Sequence, residues 1–208
     1  MMAHMKIVLA SNNAGKLTEL QTLFATLGMT LVRQSELNIP EAEEPFKTFV
    51  ENALAKARHA AQLSGLPALA DDAGLCVDAF GGQPGVDTAY YATRFGYPKG
   101  DDTNVTALLQ QMQGMVNRRA AMVSTLVAVR SADDPEPLIA VGRVLVDITT
   151  ERRGSHGFGF DPVMSLPAFG KTFAELPPEV KNANSHRGRA AQAMLVLMRE
   201  RWLDSAAP

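Results

Sequence analysis

Apolar residues along this chain fall into short runs and helical stripes. Lys6-Ile7-Val8-Leu9-Ala10 is a compact apolar run, whereas Leu17, Leu20, Phe24 and Leu27 recur at helical spacing. Gly28 stands where a helix C-cap is expected, so the opening reads strand, loop, helix. Met29 to Arg33 predicts a second strand. After the acidic, proline-flanked stretch Pro40-Glu41-Ala42-Glu43-Glu44-Pro45, Thr48 and Glu51 have the spacing of a capping box. Phe49, Ala53, Leu54, Ala57, Ala60 and Ala61 then supply an apolar face up to Gly65, which predicts a second helix. Leu66 to Ala70 predicts a buried strand that closes on Asp71-Asp72.

Phe80 to Gly85 has too much Gly and Pro for a regular element and predicts a shaped loop. Asp102 or Thr103 caps a short helix carrying Val105, Leu108, Leu109 and Met112. Met122 to Val129 and Leu138 to Ile148 flank the turn-rich Ser131-Ala132-Asp133-Asp134-Pro135-Glu136-Pro137 and predict an antiparallel hairpin. A last helix is expected from near Ser185 to Leu203, with Ala190, Ala191, Met194, Leu195, Leu197, Met198 and Trp202 on its apolar face. There is no internal repeat. Strands and helices alternate early and a strand pair follows, which predicts a mixed α/β fold with one elongated, strongly twisted sheet and flanking helices. Two lobes around a central cleft, within a single domain over 1–208, follow from that reading.

Composition narrows the function. At 208 residues and 46% apolar content the chain can bury one sizeable core, and its formal charge of −2 gives no general footprint for nucleic acid or an anionic membrane. Any attraction for an anion must be local. The single cysteine, Cys76, excludes an internal disulfide, suits a reducing, cytoplasmic setting, and reads as a small core residue rather than a nucleophile. No apolar stretch approaches the ~20 residues that span a bilayer, and Met1 to Lys6 reads as a start region rather than a signal peptide.

Four places carry candidate chemistry. Asp71 and Asp72 would emerge together at the end of their strand, where open α/β sheets bind ligands, and two adjacent acids there suit a cation. The alternative is a turn cap by Asp71 with Asp72 solvated. Ser11-Asn12-Asn13-Ala14-Gly15-Lys16, between a strand and a helix, either holds a phosphate with backbone N–H groups and a lysine or is a plain N-cap by Asn12 or Asn13. Lys181-Asn182-Ala183-Asn184-Ser185-His186-Arg187-Gly188-Arg189 puts cations at the start of the last helix, where the macrodipole disfavours them unless an anion binds; a solvated basic surface is the alternative. Gly157-Phe158-Gly159-Phe160-Asp161-Pro162 either offers a stacking face to a planar ligand or completes the core with its two rings. Acids for a metal, cations for phosphates and an aromatic for a base together describe a nucleoside polyphosphate with Mg²⁺.

These segments, with Phe49-Val50-Glu51-Asn52-Ala53 and Gly82-Gln83-Pro84-Gly85, resemble in order the landmarks of the inosine triphosphate pyrophosphatase family from Ile7 to about Met198. The resemblance implies Mg²⁺-dependent hydrolysis of ITP, dITP or XTP between the α- and β-phosphates, and a homodimer acting on free nucleotides. It implies that Asp72 is the proton acceptor and a metal ligand beside Asp71, with Glu43 or Glu44 as the other ligand. Ser11, Asn12, Asn13, Lys16 and Ala73 would meet the triphosphate. Phe158, Gly159, Phe160, Asp161, Lys181, His186 and Arg187 would line the base and sugar region. The chain departs from the family pattern at Ala73, where Ser is common, at Tyr90, where Arg is usual, and at Ala121 and Val146. Whether Arg94 replaces the missing arginine is left open by the sequence. Tyr90, Tyr91, Phe95 and Tyr97 are expected to be exposed, at a dimer interface or in the cleft.

Overall fold

β1 (Met5–Leu9), α1 (Ala14–Phe24) and β2 (Met29–Arg33) follow the predicted strand–helix–strand pattern, with a 3₁₀ turn at Ala25–Leu27 and Gly28 in the left-handed region at φ +70°. The computed structural model describes residues 5–203. Residues 1–4 of the expected start region lie outside the described residues. α2 (Phe49–Ser64) begins at Thr48, whose hydroxyl oxygen accepts from Glu51 N at 3.4 Å, and it stops at Gly65. Such an N-cap contributes ~1 kcal/mol to a helix. β3 (Ala68–Val77) lies beside β1, and β1 pairs in parallel with both β2 and β3. Parallel neighbours need crossovers, which α1 and α2 supply.

α3 (Asp101–Gln111), β4 (Arg119–Val129) and β5 (Leu138–Ile148) come next. Short β6 (Met164–Leu166) and β7 (Lys171–Thr172) follow, then α4 (Pro178–Asn184) and α5 (His186–Met198). The expected mixed α/β architecture is observed as an open seven-stranded sheet in the order β2-β1-β3-β4-β5-β6-β7, with β5–β6 and β6–β7 antiparallel. Among the described residues no helix is long and apolar enough to cross a membrane.

The chain forms two compact units. The first combines the chain up to Asp72 with Ser124–Gly142 and the chain from Arg187 onward. Here strand parity sorts the core. Ile7, Leu9, Leu69, Leu126 and Ala128 pack on Leu20 and Phe24 of α1 and on Met194 and Met198 of α5. Val8, Ala10, Ala68, Ala70, Val127 and Val129 face the other way, onto Ala53, Ala57, Ala60 and Ala61 of α2. This period-two division is what a strand covered on both faces requires.

The second unit comprises Ala73–Val123 and Arg143–His186. Leu75 and Val77 of β3, Met122 of β4, and Val144, Val146 and Ile148 of β5 pack against Val105 and Leu108 of α3 and Met112 at its C-cap, with Phe160 and Phe173 in the same core. Tyr91, expected at the surface, is buried, and its ring meets Phe95 edge-on at 5.1 Å; Tyr97 is half-buried and Tyr90 exposed. Cys76, expected in the core, is half-buried, and burial pushes its thiol up, away from a reactive thiolate.

Three sequence expectations change. β3 does not close at Ala70 but continues through both aspartates to Val77. A strand can carry two buried carboxylates when cations reach them, and cations do. The last helix does not include the Lys181 end of the donor cluster: Ser185 is extended at φ −77°, ψ 159°, so Lys181 lies in the last turn of α4 and His186 starts α5. Arg199–Leu203, expected to continue the last helix, is a π turn.

Candidate active site

The β1–α1 loop is a capped helix start. Asn13 accepts from Lys16 N at 3.2 Å, Ser11 Oγ accepts from Asn13 N at 3.1 Å, and Asn12 Nδ2 donates to Glu41 Oε1 at 3.0 Å. The N-cap is therefore present, and it directs Lys16 inward. Lys16 Nζ lies 3.0 Å from Asp71 Oδ2 and donates to the Asp71 carbonyl at 3.3 Å.

Consecutive residues on a strand point to opposite faces, so β3 separates its two aspartates. Asp71 follows Leu69 toward α1 and α5. Ser124 Oγ donates to its Oδ1 at 2.7 Å, and Arg187 Nε donates to its Oδ2 at 3.0 Å, beside Lys16. Arg187 Nη1 continues to Glu19 Oε2 at 2.7 Å. Burial alone would raise the Asp71 carboxyl, but Lys16, Arg187 and the Ser124 hydroxyl outweigh it and hold the group far below the usual carboxylate range. Lys16, by contrast, is lowered, because burial outweighs the pull of Asp71. Both Asp71 oxygens are thus engaged by side chains, and Arg187 stands in this cluster through its bonds to Asp71 and Glu19.

Asp72 follows Ala68 and Ala70 toward α2. Its Oδ1 accepts from Lys56 Nζ at 3.0 Å, and the same ammonium lies 2.9 Å from Glu44 Oε2. Its Oδ2 is buried and has no hydrogen-bond partner among the described residues. Burial raises the Asp72 carboxyl despite Lys56, while Asp72 and Glu44 raise Lys56 despite its own burial. Glu44 is presented by a loop tied at three points. Asn12 holds Glu41, a His59 ring nitrogen meets the Pro40 carbonyl at 3.0 Å, and buried Asn52 bonds both Phe46 N and Phe46 O at 3.0 and 3.3 Å. Glu41, Glu43 and Glu44 are all exposed, but Glu41 and Glu44, unlike Glu43, line a pocket of about 120 Å³ with Ser11, Asn12, Asn13, Lys16, Lys56 and Asp71.

The donor set suits a hard divalent cation. No group of three or more His, Cys, Asp or Glu gathers as a ready cage among the described residues. Two carboxylates, one with an unpaired buried oxygen, could instead serve a hard cation that takes few protein carboxylates and completes its shell with waters and phosphates.

The second unit carries the aromatic loop. Asp161 Oδ2 accepts from Phe158 N at 2.8 Å and lies 2.9 Å from Lys181 Nζ, which sits 4.9 Å from the Phe158 ring centroid. Gly159 N donates to Asp101 Oδ2 at 2.9 Å. Gly157 has φ +82°, and a Cβ there would collide with the Asp161 carboxylate, so only glycine fits. The two phenylalanines divide the roles considered for them: Phe160 is buried in the core, while Phe158 stays half-buried with a face beside a cation. His186 is buried with its ring 6.4 Å from that of Phe173. Ala73 is half-buried. Arg94 bonds Asp87 and, at 3.1 Å, Gln83, so it is committed within its own segment; Lys99 Nζ sits 4.0 Å over the Tyr90 ring.

Lys56, Glu19, Ser124 and Asp101 escaped the sequence reading. Lys56 had a signal: at spacings of three and four from Ala53 and Ala60, it is a charge on the buried alanine stripe of α2. The other three make their contacts across 168, 53 and 58 residues of chain and leave no local pattern.

Residues 7–197 match the profile of the Ham1 family. The dITP/XTP pyrophosphatase of Paracidovorax citrulli is 77% identical over 198 residues, covering 95% of this chain and all of the relative. The enzyme of the same name from Albidiferax ferrireducens is 75% identical over 199 residues, covering 96% of this chain and all of that relative. Among solved structures, a HAM1 protein from Coxiella burnetii superposes with a TM-score of 0.87 at 40% identity, covering 94% of this chain and 99% of its own. The Ham1 protein of Staphylococcus aureus gives 0.82 at 33% identity, covering 94% and 98%.

Proposed function

The chain belongs to the Ham1 family, and from that premise we propose that it is a nucleoside triphosphate pyrophosphatase that hydrolyses ITP, dITP and XTP to the monophosphate and pyrophosphate. The observation that carries the reading is the pocket bringing the β1–α1 loop and Lys16 against Lys56, Glu44 and Asp71, next to the half-satisfied carboxylate of Asp72. Relatives named dITP/XTP pyrophosphatase at more than 70% identity support the substrate class.

Each group has a task in that reaction. Glu44 and Asp72 would hold Mg²⁺, which when bound polarises the phosphates and favours ionisation of water. Asp72 Oδ2 accepts the proton of the attacking water, a role that suits a carboxyl whose affinity for protons is raised by burial. The water oxygen bonds to the α-phosphorus as the bond from that phosphorus to the oxygen bridging to the β-phosphate breaks, and the electron pair of the broken bond leaves with pyrophosphate. Lys16 and Lys56 stabilise that charge, and the Asn13-capped start of α1 contributes backbone N–H groups. Asp71 is the fixed counter-charge that aims Lys16 and Arg187. In the second unit Phe158 offers a stacking face, and Asp161, Lys181 and His186 read the base and sugar. Donors set for a 6-keto oxygen are left facing the amino group of ATP, and that mismatch disfavours ATP. Residues 1–208 work as one domain, in the cytoplasm, as a homodimer, on free nucleotides.

The test is steady-state hydrolysis of ITP, dITP, XTP, GTP and ATP with and without Mg²⁺, resolving pyrophosphate from orthophosphate. Metal-dependent pyrophosphate release strongly favouring the deaminated purines is expected. Orthophosphate as the first product, or equal use of ATP, would overturn the proposal.

A further inference from the structure

Lys56 stands where a metal ion would be wanted. Its Nζ lies 2.9 Å from Glu44 Oε2 and 3.0 Å from Asp72 Oδ1, and its side chain is only 12% exposed. These are the carboxylates assigned above to Mg²⁺. The remaining oxygen of Asp72 is buried without a hydrogen-bond partner among the described residues, although an ammonium sits on its twin. The carboxylate is thus half-satisfied.

A divalent cation sharing oxygens with Lys56 would face the ammonium at a few ångströms in a partly buried setting, where like charges repel strongly. Entry of the metal therefore requires the ammonium to leave at least one carboxylate and find another anion. Lys56 can move. It is carried by a flexible four-carbon stem from α2 and makes its two ion pairs only with Glu44 and Asp72 among the described residues. Lys16 is not equivalent, because it is bonded both to the Asp71 carboxylate and to the Asp71 carbonyl.

We propose that Lys56 is a built-in counter-cation: it neutralises Glu44 and Asp72 in the nucleotide-free protein, holds off free Mg²⁺, and transfers to a substrate phosphate when metal and nucleotide arrive together. The consequence is coupling. Metal and nucleotide each bind poorly alone and well as a pair, and by linkage each raises the affinity of the other by the same factor. A pocket carrying two free carboxylates would instead bind metal without substrate. The inference rests on the reading that Glu44 and Asp72 hold the metal.

The experiment is a Mn²⁺ titration followed by electron paramagnetic resonance, with Mn²⁺ standing in for Mg²⁺, on the nucleotide-free protein and with saturating α,β-methylene ITP. Weak Mn²⁺ binding to the wild type, at least ~10-fold tighter with the analogue, is expected. In Lys56→Gln, nucleotide-free binding tightens by at least ~10-fold and the analogue adds much less, and both changes disappear when Glu44→Gln is added. Lys56→Arg, which keeps the charge, stays weak. Tight Mn²⁺ binding to the nucleotide-free wild type overturns the proposal without any variant. So does a folded Lys56→Gln that binds Mn²⁺ no tighter than wild type. Tightening that survives Glu44→Gln overturns the metal assignment as well, whereas none of these outcomes depends on which nucleotide is hydrolysed.

Discussion

Asp71 and Asp72 are chemically identical and adjacent, yet their surroundings give them different roles. Three side-chain donors hold the oxygens of Asp71, whereas Asp72 keeps one buried oxygen unbonded among the described residues. A group already saturated cannot take a proton from water, and a half-satisfied one can. Asp72→Asn is accordingly expected to keep the fold and nucleotide binding while losing at least ~100-fold in rate, the scale of a general base. Steady-state kinetics beside a thermal melt checks this, and near-wild-type turnover would remove Asp72 from the role. The pair was visible in the sequence, and so was the N-cap loop ending in Lys16. The division of labour was not, because an apolar run that stops at Ala70 predicts a strand ending there, with both carboxylates emerging together. Once β3 is known to continue, parity alone separates them.

Among the elements, helices with a stripe and a cap were legible: Thr48 and Gly65 mark the ends of α2, and β2 and β5 run as the apolar pattern indicates. Elements shaped by distant partners were not. Gly85–Phe95, β6, β7 and α4 are short or lack a period of their own, and they take form on the core of the second unit. The loop between β4 and β5 is a case of hidden order. It looked like a generous turn, but Asp134 is buried within it, accepting from Arg130 N, Arg130 Nε and Arg130 Nη2 at 2.8, 3.1 and 3.1 Å and from Glu136 N at 3.0 Å. The Arg130 guanidinium and these N–H groups hold the Asp134 carboxyl down at about 2. A carboxyl depressed in the folded state contributes stability that is complete above its unfolded value near 4 and is lost as pH falls through about 2. Asp134→Asn should cost about 1 kcal/mol near neutral pH, allowing for screening at the half-exposed Arg130. Urea denaturation of both proteins should show that difference shrinking between pH 4 and pH 2; a constant difference would mean that charge is not its source.

For the whole molecule, the chain order matters more than the domain count. The first unit is assembled from stretches that lie far apart in sequence, so its core cannot form from the N-terminal third alone. A fragment ending at Val123 would lack Leu126, Val127, Ala128 and Val129 of β4, which belong to the cores on the two faces of the sheet, and Met194 and Met198 of α5, which cover one of those faces. It should give no cooperative melt by circular dichroism, and a sharp transition would show that this reading of the core is mistaken. Composition foretold the size of such a core but not its interleaving, which depends on contacts the local pattern does not encode. The two-sidedness of β3 has a last consequence, for how such a chain tolerates change. Substitutions along Ala68–Ala70 alter packing one side chain at a time, but removing or adding a single residue there reverses every position that follows. Asp72 would then turn toward Lys16 and Arg187 and Asp71 toward Lys56. The lineage can vary this strand in letters, then, but not in length: a one-codon insertion or deletion before the doublet exchanges the anchor with the base while leaving both aspartates in the sequence.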